Sequence, residues 1–246
     1  MVDAAAPARS AAVNPQRYAL MGGLLYLIII IAGISGELFL RGPMIVSGDA
    51  AATASHIVAE PTVWRISIAG DMLMHLCDIG VMLAFYVLLR PVNQNLALAA
   101  ILLNLVQTAV AVANKINLVI PLFLLGDGGY LNAFTVEQRQ VLAYLSIRAH
   151  DYGFGVALVF FGVECLVVGY LIFRSGYLPW ALGILMQVAG TCYLVNSFAL
   201  VLAPTVASRL FPAIMLPPFV AELSMATWLL VKGVDLTRWE ERTSAA

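Results

Sequence analysis

Six stretches of this chain are long and apolar enough to cross a bilayer: residues 18–40, 66–89, 96–125, 150–173, 178–203 and 212–232. A span needs about 20 mostly apolar residues to traverse roughly 30 Å of hydrocarbon. Lipid offers no partner to backbone N–H and C=O groups, so a span is either a helix or part of a closed barrel. No apolar/polar alternation of the strand type runs through these stretches. The expected fold is an all-α membrane protein, a bundle of about six transmembrane helices. Composition agrees: 62% of the 246 residues are hydrophobic and only 11% charged, whereas soluble domains carry about a quarter charged residues. Too few charges remain to build a water-facing surface, so the bilayer is the first partner the sequence demands. A net charge of −1 without a basic stripe excludes a nucleic-acid surface.

The third stretch exceeds the length a span requires, which predicts a tilt, a kink or a projection beyond the lipid. The first follows Arg17 but is too long for the hydrophobic region of a signal peptide, and it reads as a retained helix. The expected organisation is an Ala-rich disordered tail over 1–16, one helical membrane domain over 17–232 and a cytoplasmic tail over 233–246. Cys77, Cys165 and Cys192 lie in apolar stretches without C-x-x-C spacing and read as free buried thiols. The basic residues set the orientation. The tight turns Arg90-Pro91-Val92-Asn93 and Arg174-Ser175-Gly176 carry arginine and no acid, which places both termini inside.

Two outer connections are longer. Gly48-Asp49 forms a helix N-cap, predicting a short amphipathic outer helix over 50–59 between the first two spans. Thr135-Val136-Glu137-Gln138 is a capping box, so the fourth helix starts there and stands about three turns outside the lipid. Tyr86-Val87-Leu88-Leu89-Arg90 and Tyr170-Leu171-Ile172-Phe173-Arg174 each lead into a helix carrying an asparagine, a faint parallel repeat of helices two–three and four–five.

Charged groups in hydrocarbon cost about 2.5–3.5 kcal/mol each on insertion scales and call for a reason. Asp71, His75 and Asp78 on the second span are spaced i, i+4, i+7, which puts them on one helical face that must turn away from lipid. Two readings are open for this stripe: a functional site, or polar glue between helices. Depth along the spans brings Glu37, Asn114, Lys115, Asn117, Arg148, His150, Asp151, Asn196 and Glu222 toward the same outer layer. Carboxylates outnumber cations there, and uncompensated carboxylates in low dielectric take up protons or recruit a cation. Lys115 is expected to pair with Asp78 or Glu222.

Asp71, His75, Asp78 and His150 are the ligands a metal would use, but no H-E-x-x-H or paired-Cys motif supports one, and no cofactor is indicated. Ser67 and Ser146 lack a triad context. Pro217-Pro218 inside the sixth span is expected to bend it and free carbonyls. Glu164 sits apart, deeper on helix four, opposite Gln187. Gly22, Gly23, Gly33, Gly36, Gly162, Gly169, Gly183 and Gly190 read as close-packing positions. Tyr26, Tyr86, Tyr170 and Tyr193 read as belt or bundle aromatics.

The segments Gly48-Asp49-Ala50-Ala51-Ala52-Thr53, Leu88-Leu89-Arg90-Pro91-Val92-Asn93, Phe160-Phe161-Gly162, Gly169-Tyr170-Leu171 and Ser175-Gly176-Tyr177-Leu178-Pro179 resemble a bacterial family of multi-pass membrane proteins known as a domain of unknown function. The resemblance covers nearly all of residues 17–232. It implies a bacterial cytoplasmic membrane protein and carries no activity or catalytic residues. The leading expectation is an outward-opening acidic pocket that binds, transports or senses a small molecule, cation or protons. An intramembrane enzyme using a metal or an acid–base pair, and an accessory protein whose polar layer only sets helix register, are the alternatives.

Overall fold

The computed structural model describes residues 14–244, and the expected disordered tail falls, over residues 1–13, outside them. Asn14 caps the first helix, α1 (Pro15–Ile34), by accepting the Arg17 N–H at 3.2 Å. The same span continues through a π-helical turn, Ser35–Arg41, and a 3₁₀ turn, Gly42–Met44. Next come α2 (Ala50–Ala59), α3 (Pro61–Leu89), α4 (Gln94–Asn114), α5 (Ile116–Leu124) and α6 (Val136–Ser175). The chain ends with α7 (Trp180–Leu202), α8 (Pro204–Leu210), α9 (Leu216–Val231) and α10 (Leu236–Ser244). Among the described residues there is no strand, and six segments are long and apolar enough to cross a membrane.

The predicted caps explain the connections at the α2 end of the bundle. Asp49 Oδ1 accepts the Ala52 N–H at 2.8 Å and starts α2, the short helix between the first two spans. Thr135 and Gln138 close the capping box that starts α6. At about 1.5 Å per residue, the 40 residues of α6 run to about 60 Å, twice the hydrocarbon thickness. Its first turns therefore project, and Tyr144 on the projection accepts the Gly48 N–H at 2.8 Å, holding the start of α2 against it. The over-long third span is broken at Lys115, between α4 and α5.

The proline pair behaves differently from expectation. Pro217 and Pro218 lie in the first turn of α9, after a 3₁₀ turn over Ala213–Met215, and not inside a continuous helix. First-turn N–H groups have no intrahelical acceptor, so the two missing donors cost little there.

Helix pairs approach closely where side chains vanish. A Cβ on Gly169 would lie 2.6 Å from the Gly183 carbonyl, and one on Gly183 equally close to the Gly169 carbonyl, so α6 and α7 touch backbone to backbone. Gly23 similarly admits α9 against α1. Both ends of the domain meet on one side of the bundle, opposite α2. Gln16 donates to the Lys232 carbonyl and accepts the Val234 N–H, each at 3.2 Å. Gln16 is thus already helical and tied to the C-terminal segment. On the same side, Tyr177 donates to the Leu88 carbonyl, and burial pushes its phenol up from the ordinary range, keeping it a donor. Trp239 of α10 is buried in the main apolar core.

Candidate functional site

The stripe on α3 faces the bundle: Asp71 and His75 are buried and Asp78 half-buried, while Leu73, Leu76 and Ile79 on the other face are exposed toward lipid. The face does not serve a single site. Its polar residues divide between a charge cluster at the α2 end and a cavity deeper in the bundle.

The cluster is built on Asp71. Its Oδ2 receives Lys115 Nζ at 2.7 Å and Arg41 Nη1 at 3.0 Å, and all three side chains are buried. Arg41 reaches on through Nη2 to Glu37 Oε2 at 2.9 Å, on the exposed rim. Two irregular backbone features deliver these cations. The π-helical turn carries Glu37 and Arg41, and Gly36 within it leaves room for Asp71, whose Oδ1 would be 3.4 Å from a Cβ there. The helix break delivers Lys115. The expected pairing of Lys115 with Asp78 or Glu222 is therefore corrected: its partner is Asp71. Asp78 lies seven residues further along α3, roughly 10 Å deeper at the helical rise.

Lys115 Nζ is also 3.3 Å from His150 Nε2. An ammonium only donates, so Nε2 accepts and the ring proton belongs on Nδ1, 3.9 Å from Asp151 Oδ1. Asp151 is half-exposed and paired with Arg148 at 2.8 Å. Asn114 donates to the His150 carbonyl at 2.8 Å and accepts from Asn117, nestled where Gly153 has no side chain. Counting Glu37 and Asp71 against Arg41 and Lys115, the cluster is electrically closed.

The cavity is a different environment. It has a volume of about 240 Å³, and His75 and Asp78 of α3, Gln107 of α4, Glu164 of α6, Tyr193 of α7 and Glu222 of α9 line it. The rings of Tyr26, Phe85, Phe154, Phe161 and Tyr193 and the thioethers of Met74, Met82, Met186 and Met215 supply much of its remaining wall. Among the described residues no lysine or arginine lines it. Asp78 Oδ2 lies 3.1 Å from Asn104 Nδ2 and 2.8 Å from the Thr108 hydroxyl, both neutral donors. Glu222 Oε1 receives the Tyr193 hydroxyl. Glu164 Oε2 and His75 Nε2 have no hydrogen-bond partner, although their residues are only 4% and 3% exposed. Such orphaned buried atoms are rare in folded proteins and ask for an explanation.

Of the residues singled out from sequence, Asp71, Lys115, Asn114 and His150 gather in the cluster, with Glu37 and Asp151 at its rim. His75, Asp78 and Glu222 line the cavity. Asn196 joins neither; it is half-buried on α7 and makes no side-chain hydrogen bond among the described residues. Asp71, His75, Asp78 and His150 do not converge, and among the described residues no three His, Cys, Asp or Glu side chains group as metal ligands. Glu164, set apart in the sequence reading, shares the cavity. Gln187, the expected partner of Glu164, instead donates to the Gly183 carbonyl at 3.3 Å on its own helix.

Arg41, Asn104, Gln107 and Thr108 were missed, and Tyr26 and Tyr193, read as belt or bundle aromatics, line the cavity. A polar stripe was legible along α4 and at its end: Asn104, Gln107, Thr108, Asn114 and Lys115 recur at helical spacing, and Asn104, Thr108 and Lys115 meet the aspartates of α3. Arg41 gave no such signal, because an arginine at the end of a span ordinarily reads as an interface anchor.

A family model described as "Domain of unknown function (DUF4386)" matches residues 21–233, a stretch that contains both the cluster and the cavity. An uncharacterized protein of Archaeoglobus fulgidus is 28% identical over 178 residues, covering 72% of this chain and 89% of that protein. No solved structure matches the chain. With the family model spanning all six membrane-crossing segments in whole or part, this chain belongs to the DUF4386 family.

Proposed function

We propose that this protein binds a small molecule or cation in the acid-lined cavity, as a carrier or sensor in a prokaryotic cytoplasmic membrane with both termini inside. The observation that carries the reading is the meeting of Asp78, Glu164 and Glu222, from three helices, around one void that, among the described residues, His75 lines but no lysine or arginine does. Three acids in a membrane interior are costly. A bundle that needed only polar glue would satisfy them with each other or with cations, as Asp71 is satisfied. The opening is taken to be at the α2 side, which fits the presence of Met215, from the loop before α9, in the wall. The orientation rests on the basic turns at Arg90 and Arg174, which lie on the side where the two ends of the domain meet.

Thiol accessibility tests the reading. In a chain with Cys77, Cys165 and Cys192 replaced by alanine, Leu158→Cys puts a thiol on the cavity wall and Leu73→Cys puts one toward lipid. A water-soluble methanethiosulfonate should label Leu158→Cys roughly tenfold faster or more, since only a hydrated thiol ionises and reacts. Equal inertness of the two positions would mean a dry core and would end the proposal.

A further inference from the structure

We propose that the ligand is a compact organic cation, an ammonium-type head on an apolar or aromatic body; this rests on the binding function of the cavity proposed above. The charge sign follows from the wall: Asp78, Glu164 and Glu222 are its ionisable acids, and no lysine or arginine opposes them among the described residues. An anion would meet three acids against one imidazole, and a neutral apolar ligand would leave the acids to be neutralised by protons alone.

The choice between an inorganic and an organic cation follows from three observations. Hard cations need six or more oxygens in a tight shell, at about 2.0–2.6 Å. Here the acids do not group as metal ligands, and one oxygen each of Asp78 and Glu222 is already held by neutral donors. The void has about 240 Å³, room for about eight waters at roughly 30 Å³ apiece, far more than a bare ion fills. Beside His75, Gln107 and four aliphatic side chains, the rest of the wall is five rings and four methionines. Aromatic faces attract ammonium groups within about 6 Å of the ring centroid and are the usual cage for quaternary nitrogen. Thioethers supply a soft, adaptable apolar surface.

Within the cavity the geometry points to Glu164. Its Oε2 is fully buried without a hydrogen-bond partner, in a residue 4% exposed. Phe161 lies one turn before Glu164 on the same face of α6, with its ring 5.2 Å from that of Tyr193, which in turn donates to Glu222. A cationic head beside Glu164 would therefore have a carboxylate on one side and a ring pair on another, with Glu222 behind it.

Binding of benzyltrimethylammonium to the purified full chain, measured calorimetrically, tests this against neopentylbenzene, its uncharged isostere, and against sodium and calcium chloride. The ammonium should bind and slow labelling of Leu158→Cys, the isostere should bind at least roughly tenfold more weakly, and Glu164→Gln should weaken the ammonium by a similar factor or more. Equal binding of the isostere, saturable binding of sodium or calcium alone, or an unchanged affinity in both Glu164→Gln and Glu222→Gln would overturn the organic-cation class. The isostere comparison uses the unmutated chain, so it stands even where a variant folds poorly. If Leu158→Cys is labelled but the ammonium neither binds nor protects it, the ligand class is wrong and the water-reachable pocket survives. If Leu158→Cys is inert, the pocket itself falls.

Discussion

At the α2 end of the bundle, Asp71 is held between Arg41 and Lys115, with Glu37 and His150 completing the array. About 10 Å further along the same face of α3, Asp78 meets only an amide and a hydroxyl. Both are aspartates turned away from lipid, and their helix treats them alike. The neighbours do not. Around Asp71 every strong charge has an opposite, so the cluster can serve as a structural clasp joining α1, α3 and the α4–α5 break. Around Asp78, Glu164 and Glu222 the same class of side chain is left without a cation. Acidity inside a membrane bundle therefore does not by itself mark function; in the reading proposed above, the absence of compensation does.

Mutation should separate the two regions by the sign and size of its effect on stability. The largest change is expected from Asp71→Asn, which leaves Arg41 and Lys115 buried without a full countercharge. Breaking a buried pair in this way costs about 3–5 kcal/mol, read as a lower unfolding midpoint in detergent or by steric trapping in bicelles. A loss within the scatter of surface variants would show that the clasp is ornamental. Next, Asp71→Asn combined with Lys115→Met should cost less than the sum of the single changes, with a coupling of roughly 0.5–3 kcal/mol in a double-mutant cycle. Strict additivity would mean that the 2.7 Å contact carries no energy of its own.

In the cavity the sign should reverse. Glu164→Gln removes a buried acid that has no cation, so the unfolding free energy should hold or rise, by up to about 1 kcal/mol, while ligand binding falls. A loss comparable to that of Asp71→Asn would erase the contrast between the regions. The smallest effect is expected at the rim. Glu37 is 59% exposed, so Glu37→Gln should change stability by less than about 1 kcal/mol, and the change should shrink in high salt. A larger, salt-insensitive loss would extend the clasp to the surface.

Much of the framework was legible before any coordinates. The six spans, the Asp49 cap before α2 and the Thr135 capping box follow from apolar length and local hydrogen-bond chemistry, which act within a few residues. The break in the third span was foreseen as a surplus of length but not located at Lys115. The proline pair was misjudged because the start of the sixth helix could not be fixed from hydropathy: 3₁₀ and helical turns are equally apolar. The polar layer was seen as one outer cluster because Lys115 and Asp78 share an approximate depth in a linear count. The assignment failed because Asp71 and Asp78 share one face about 10 Å apart along α3, and the helix break sets Lys115 level with Asp71.

The chain's own pattern of apolar length, caps and i, i+4, i+7 polar spacing determined that it is a helical membrane bundle and that the α3 face turns inward. Those properties depend on the solvent and on neighbours within a turn or two. Only the tertiary structure decided that Asp71 is neutralised by two cations, that Glu164 joins Asp78 and Glu222, and that five rings close around them. Partners in a low-dielectric interior are chosen by distances of a few ångströms between helices far apart in sequence. A π-helical turn at Gly36 and a helix break at Lys115 shift those distances enough to separate a clasp from a pocket.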